Sequence, residues 1–220
     1  KFMDLLAQIQ QVQFTLCTEF RLRGLVKSEL VTAPMAKAMY AAGFRQLLIG
    51  FESGDPRMLL NMNKHATRDD NTRCVQILKD AGIQVKALMS LGHPGESHAS
   101  VEATRDWLLE VRPDDFDVTV ITVYPGTPYY EDAVQHGAQW TYTATNGDRL
   151  HSVNTDHLTD VNFYKGAPGA YQSFVWTDFL SRRQMCVERD RLETEVRDAL
   201  GIAWPKTAAE RQYEHSMGAR

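Results

Sequence analysis

The chain has 220 residues, 43% of them hydrophobic, a formal net charge of −4 and three cysteines. That length supports one sizeable core with a smaller appendage, and the acidic balance disfavours nucleic acid as a partner. No apolar run reaches the ~20 residues of a membrane helix, no secretory leader pattern is present, and Cys17, Cys74 and Cys186 are too scattered for a disulfide framework, which suits a reducing, cytoplasmic setting.

The opening segment "KFMDLLAQIQ" places Phe2, Leu5, Leu6 and Ile9 at helical spacing without an initiating Met, so the sequence is expected to be a piece of a longer protein. "VQFTLCTEFR" alternates and favours β structure, which predicts a first strand ending near Arg21. In "TAPMAKAMYAAG", Thr32 reads as an N-cap, Pro34 falls in the first turn and Gly43 follows the last turn. The next strand, "RQLLIGF", stops at Glu52, Ser53 and Gly54, and Asp55-Pro56 opens a helix. Thr67 and Asp70 form a capping box ahead of a helix that Gly82 stops. "IQVKALMSLG" is a near-continuous apolar strand of the kind buried on both faces. A helical stripe of Val101, Thr104, Leu108 and Val111 follows, then the strand "FDVTVITVY", closed by "PGTP". Strand and helix alternate with short links, which predicts βαβ units around a parallel sheet.

Beyond Pro128 the rhythm changes. "WTYTATNGDRLHSV" predicts a hairpin turning at Asn146-Gly147. The aromatics of "NFYKGAPGAYQSFVW" are read as core, and a long helix starts at Ser181 with Gln184 completing its capping box. The expected division is a partial barrel over 1–133, an α+β extension over 134–202 and a polar tail over 203–220.

The strand tips carry the functional signal, because parallel α/β folds place ligands at the C-terminal ends of strands. In order they read "TEFR", "GFESG", "SLGHPGE" and "TVYPGTP". Each has a bland explanation: a Glu19–Arg21 ion pair, a helix cap, two glycine turns, and for His93 a hydrogen-bonded place on the rim. Four such tips in succession are harder to assign to chance.

"IGFESGDPRMLLNMNK", "SLGHPGES" and "YPGTPYY", with "KDAGIQV" between them, resemble the radical S-adenosylmethionine (radical SAM) superfamily, in the branch of cobalamin-binding and magnesium-protoporphyrin-cyclase-like enzymes. The resemblance covers about residues 2 to 133. It implies an α/β partial (β/α) barrel of which this chain supplies strands three to six, followed by a small α+β extension. It also implies reductive cleavage of S-adenosylmethionine to a 5′-deoxyadenosyl radical for hydrogen abstraction or methyl transfer. Carried onto this sequence, it makes Glu52 the residue facing the polar part of S-adenosylmethionine, with Ser53 in the turn beyond. Arg21 would hold the methionyl carboxylate, Ser90 and Gly92 would line the adenine, and Tyr124 would stand on the adenine side. Arg21, Glu52, Ser90 and Tyr124 should therefore share one rim, and opposite rims for Arg21 and Glu52 would sink the S-adenosylmethionine assignment. The implied partners are a small-molecule substrate and an electron donor such as flavodoxin or ferredoxin, with no nucleic acid and no membrane. The implied cofactors are S-adenosylmethionine and a 4Fe–4S cluster, with cobalamin admitted in an upstream domain.

The family's CxxxCxxC cluster loop is absent, so no metal ligand is assigned in this chain and its first two βα units are expected upstream. Three other readings remain open: a cluster-less scaffold module, a methylthiotransferase-type RNA or protein modifier, and an unrelated barrel using Glu19, Glu52 and His93 as acid–base groups.

Overall fold

A computed structural model describes residues 1–153, 168–169 and 172–204. Helix α1 (Phe2–Leu16) leads into strand β1 (Leu22–Leu25), α2 (Ala33–Ala41), β2 (Phe44–Glu52), α3 (Pro56–Asn61), α4 (Arg68–Asp80), β3 (Gln84–Leu91), α5 (His98–Val111) and β4 (Asp115–Val120). The four strands form one parallel sheet in the order β1-β2-β3-β4. Helices cover one face, where Leu47, Ile49 and Phe51 of β2, Val85, Ala87 and Met89 of β3, and Phe116 and Val118 of β4 enter a common buried core. The opposite parity, Gly50 and Glu52, Lys86 and Ser90, Asp117 and Thr119, makes the inner face.

The helix caps follow the sequence. Thr32 accepts from the Met35 N–H, Asp55 from the Arg57 N–H, and reciprocal capping boxes at Thr67–Asp70, Ser97–Ser100 and Ser181–Gln184 open α4, α5 and α7 (Arg182–Leu200).

One strand assignment fails. Residues Val12–Leu16 continue α1 instead of forming a strand. The β-favouring run is overruled by contacts to α2: Gln10 and Gln13 donate to the Ala38 and Ala41 carbonyls, and the Gln13 amide oxygen accepts the Phe20 N–H at 2.7 Å. Cys17, at φ 47°, ends the helix, and the true first strand starts at Leu22, opposite Phe44. The last strand is also shorter than the apolar run suggested, stopping at Val120.

After α6 (Pro128–Glu131), strands β5 (Val134–His136), β6 (Gln139–Thr143), β7 (Arg149–Val153) and β8 (Val175–Thr177) form an antiparallel sheet. The expected hairpin is β6–β7. Its tip docks on α3 and the loop after β3: Asp148 accepts from Asn61 Nδ2 at 2.8 Å and Arg57 Nη1 at 3.3 Å, while the Gly95 N–H donates to the Arg149 carbonyl. Of the aromatic segment assigned to core, Val175 is buried, whereas Trp176 faces out and stacks on His151. Phe174 is half-buried and Ser173 buried, while residues 162–167 and 170–171 of that segment and most of the predicted tail lie outside the described residues.

Helix α7 seals the β4 edge. Arg197 Nη2 donates to the Phe116 carbonyl at 2.7 Å and Arg189 Nε to the Val118 carbonyl at 2.8 Å. Glu193 lies between them, one helical turn from each, and pairs with both. Two guanidinium groups thereby occupy backbone acceptors that another strand would otherwise use.

Candidate cofactor cleft

At the C-terminal ends of β2, β3 and β4 lies a cleft of roughly 770 Å³. Glu52, Ser90, His93 and Tyr124 line it, with Lys64 from the segment after α3 and Tyr142 from β6. Glu52 ends β2 in an unusual backbone state: φ is 68°, and the pairing register with β3 shifts between Gly50 and Glu52. A side chain in the left-handed region costs ~1–2 kcal/mol, so the conformation is held by its surroundings. Gly50 makes it possible, because a Cβ there would come within 2.5 Å of Glu52 Oε1. The carboxylate lies over the strand, with Lys64 Nζ 3.2 Å from Oε1 and the Ser90 hydroxyl donating to Oε2 at 2.7 Å. Lys64 also donates to the Gly50 carbonyl at 2.6 Å.

The network continues inward. Ser90 Oγ lies 2.8 Å from His93 Nε2, and His93 Nδ1 lies 3.1 Å from the Tyr129 hydroxyl, whose ring packs on Tyr142. Burial pushes the His93 pKa down to about 4, so the imidazole is neutral near pH 7, and burial likewise raises that of the Tyr129 phenol. Three residues from His93, Glu96 is fully buried and its pKa is raised to about 7 by desolvation. Glu96 accepts from the Gly92 N–H and the Ser100 hydroxyl.

Glu52, Ser90 and Tyr124 thus meet in one cleft, and three predicted residues do not. Arg21 precedes β1 beside the N-terminal end of the sheet, on the rim opposite Glu52. By that criterion the S-adenosylmethionine assignment fails as framed on Arg21 and Glu52 together: the strand meant to deliver Arg21 is the end of α1, and of the two only Glu52 stands at the cleft. The β1 tip at Glu52's rim instead presents Val26, Lys27 and Ser28. Ser53 is 1% exposed and turns away from the cleft, its hydroxyl 3.0 Å from that of Thr104 on α5. Gly54 allows this approach, since a Cβ would sit 2.6 Å from the Trp107 Cβ. Gly92, at φ 96°, is packed beneath β8, where a Cβ would meet Val175 at 2.8 Å. Both residues build the rim and do not line the cleft. Glu19 borders a separate groove with Arg45 at the far rim, so Glu19, Glu52 and His93 do not assemble into an acid–base trio. Lys64 and Tyr129 were missed in the sequence. Lys64 was legible only as the last letter of a motif, and Tyr129 follows the "YPGTP" turn without a signal of its own.

Residues 2–108 match the model of the Radical SAM superfamily. This part of the chain is a radical SAM domain. Over 141 residues, 64% of the chain, it is 29% identical to an uncharacterized methyltransferase of Pyrococcus horikoshii. Over 99 residues, 43% of the chain, it is 33% identical to the bacteriochlorophyllide d C-12(1)-methyltransferase of Chlorobaculum tepidum. The chain spans 31% and 22% of the lengths of these two relatives. Among solved structures, the radical S-adenosylmethionine methyltransferase TsrM of Kitasatospora setae, with cobalamin and a 4Fe–4S cluster bound, superposes with a TM-score of 0.55 at 20% identity, covering 65% of this chain and 30% of TsrM. The parallel sheet with its helices is therefore a radical SAM fold.

The superfamily uses S-adenosylmethionine and a 4Fe–4S cluster, and the two fit this chain differently. The cleft suits a nucleoside: it is large enough, and each Glu52 oxygen has one hydrogen-bonding neighbour with acceptor capacity left over. The cluster does not fit. Cys17 is exposed at the end of α1, Cys74 is buried in α4 with a thiol pKa raised to about 12, and Cys186 lies on α7. No group of three metal-ligating side chains occurs among the described residues.

Proposed function

We propose that the cleft binds the nucleoside part of S-adenosylmethionine and that this chain supplies the cofactor-holding part of a radical SAM enzyme. The carrying observation is Glu52: a strained strand-end residue whose carboxylate is turned over Gly50 between Ser90 and Lys64, with acceptor capacity to spare. S-adenosylmethionine held there would supply a 5′-deoxyadenosyl radical or a methyl group if a reducing cluster, which the described residues of this chain do not hold, stood beside it. The residues of this chain orient it. Glu52 accepts from the ribose hydroxyls, Ser90 leaves room beside the base, and Tyr124 and Tyr142 wall off water from the opposite side. The methyltransferase names of the two relatives above favour methyl transfer, to which we add a small-molecule acceptor and an electron donor such as flavodoxin or ferredoxin as proposed partners. Cobalamin, bound in TsrM, is the corresponding candidate outside this chain's own residues.

The decisive experiment titrates S-adenosylmethionine into the chain and into its Glu52→Ala variant by calorimetry. Binding that the substitution weakens at least tenfold supports the proposal. Equal affinity for both proteins would refute it.

A further inference from the structure

We infer that His93 and Tyr129 are positioning residues for Glu52: a neutral hydrogen-bond relay of fixed direction that keeps the Ser90 hydroxyl proton on the carboxylate. This rests on the nucleoside-binding proposal for the cleft and extends it to two residues that lie behind Glu52.

The direction follows from counting hydrogens. An ionised carboxylate only accepts, so the 2.7 Å contact between Ser90 and Glu52 uses the single hydroxyl hydrogen of Ser90. Ser90 Oγ must then accept in its 2.8 Å contact with His93 Nε2, which places the imidazole proton on Nε2. A neutral imidazole carries one such proton, so Nδ1 is bare and accepts from the Tyr129 hydroxyl at 3.1 Å. Tyr129 donates to His93, His93 to Ser90 and Ser90 to Glu52, and each donor has one acceptor. His93 is only 7% exposed, which keeps solvent from offering Nδ1 a competing proton.

A histidine at a loop could serve the loop alone, but this loop is fixed by other groups. The Glu96 N–H donates to the His93 carbonyl at 2.9 Å, the Gly92 N–H donates to Glu96, and the Thr177 hydroxyl donates to the Glu96 carbonyl at 2.6 Å. The imidazole adds nothing to those bonds. Its two contacts lead to Ser90 and Tyr129, both at the cleft. Without the His93 donor, Ser90 Oγ could rotate its proton away from Glu52, and the carboxylate would keep Lys64 alone.

The test uses the full chain, with 15N NMR of the imidazole and calorimetric titration of 5′-deoxyadenosine. The ligand-free wild type should show a protonated Nε2 and a bare Nδ1 for His93, assigned by its loss in His93→Gln. Tyr129→Phe should leave that proton on Nε2, where Ser90 holds it, and shift the resonance of the bare Nδ1 that loses its hydrogen bond. His93→Phe should bind 5′-deoxyadenosine about tenfold more weakly, because the Ser90 hydrogen bond that positions the charged Glu52 is weakened. His93→Gln, whose amide still donates to Ser90, should stay within about threefold of wild type. A wild-type proton on Nδ1 overturns the relay, as does wild-type affinity in His93→Phe, or equal weakening in His93→Gln and His93→Phe. The tautomer is read with no nucleoside present, so it can fail while the cleft proposal stands. Unchanged affinity in Glu52→Ala removes the cleft proposal instead, and the positioning role with it.

Discussion

Two lysine–carboxylate pairs on the inner face of the parallel sheet are built from the same chemistry and do opposite things. Lys64 and Glu52, 3.2 Å apart, lie at the rim with about 30% of each side chain exposed. Lys86 and Asp117, 3.0 Å apart, are sealed, at 0% and 5%. The rim pair keeps acceptor capacity for a ligand. The sealed pair belongs to a larger group in which Asp115, Arg197 and Glu193 also neutralise one another. Exposure together with incomplete pairing marks the functional carboxylate, and the presence of a charge in the sheet does not.

The largest test of this contrast is Arg197→Ala. It leaves Glu193 and Asp117 buried with too few partners, and breaking a buried pair costs about 3–5 kcal/mol. Urea denaturation should show that loss, while the affinity of the folded protein for S-adenosylmethionine stays unchanged. Glu52→Ala should do the reverse. Affinity should fall by roughly ten- to a hundredfold, and stability should change by under ~1 kcal/mol. Comparing Glu52→Gly with Glu52→Ala sharpens the point, since only glycine is at ease at φ 68°. The glycine variant should be more stable than the alanine variant by about 1 kcal/mol at equally poor affinity.

The smallest effect is a pH slope. Glu96 has a folded pKa of about 7, above its ordinary value, so its contribution to stability is present at low pH and fades as pH rises from about 4.5 to about 7. His93, held at about 4, contributes stability above about 6.5 that fades as pH falls toward 4. The two slopes oppose each other between about pH 4.5 and 6.5, so this loop should leave wild-type stability nearly flat there. Glu96→Gln should unmask the His93 slope, with stability falling as the solution is acidified. His93→Gln should unmask the opposite one, and melting curves at several pH values would separate them.

Much of this was legible from local rules. Capping residues such as Thr32, Asp55, Thr67 and Ser181 announce helix starts through their own side chains, and Asn146-Gly147 announces its turn. Glu52 was legible because a carboxylate ending an apolar run has no reason to be there for packing. Less local facts were hidden. The end of α1 looked like a strand until Gln10 and Gln13 met α2, and Arg21 was misplaced with it. Ser53 and Gly92 sit in the right motifs, yet their orientation depends on α5 and β8, elements 50 or more residues away. The His93–Tyr129 contact spans 36 positions and requires the "YPGTP" turn to fold back over β3. No spacing rule reports it.

The arginine seal along β4 gives the parallel sheet a direction of growth. Phe116 and Val118 have already committed their outward carbonyls to α7, so that margin is closed to strand addition. The other margin is β1, four residues long, where Arg23, Leu25 and Lys27 stand in solvent. A segment of polypeptide that joins this sheet, from the same molecule or another, must therefore enter beside β1. It would arrive next to Lys27 and Ser28, on the side of the cleft where Gly50 and Lys64 lie. The fold admits company from a single side, and that side borders the groups most suited to meeting a cofactor.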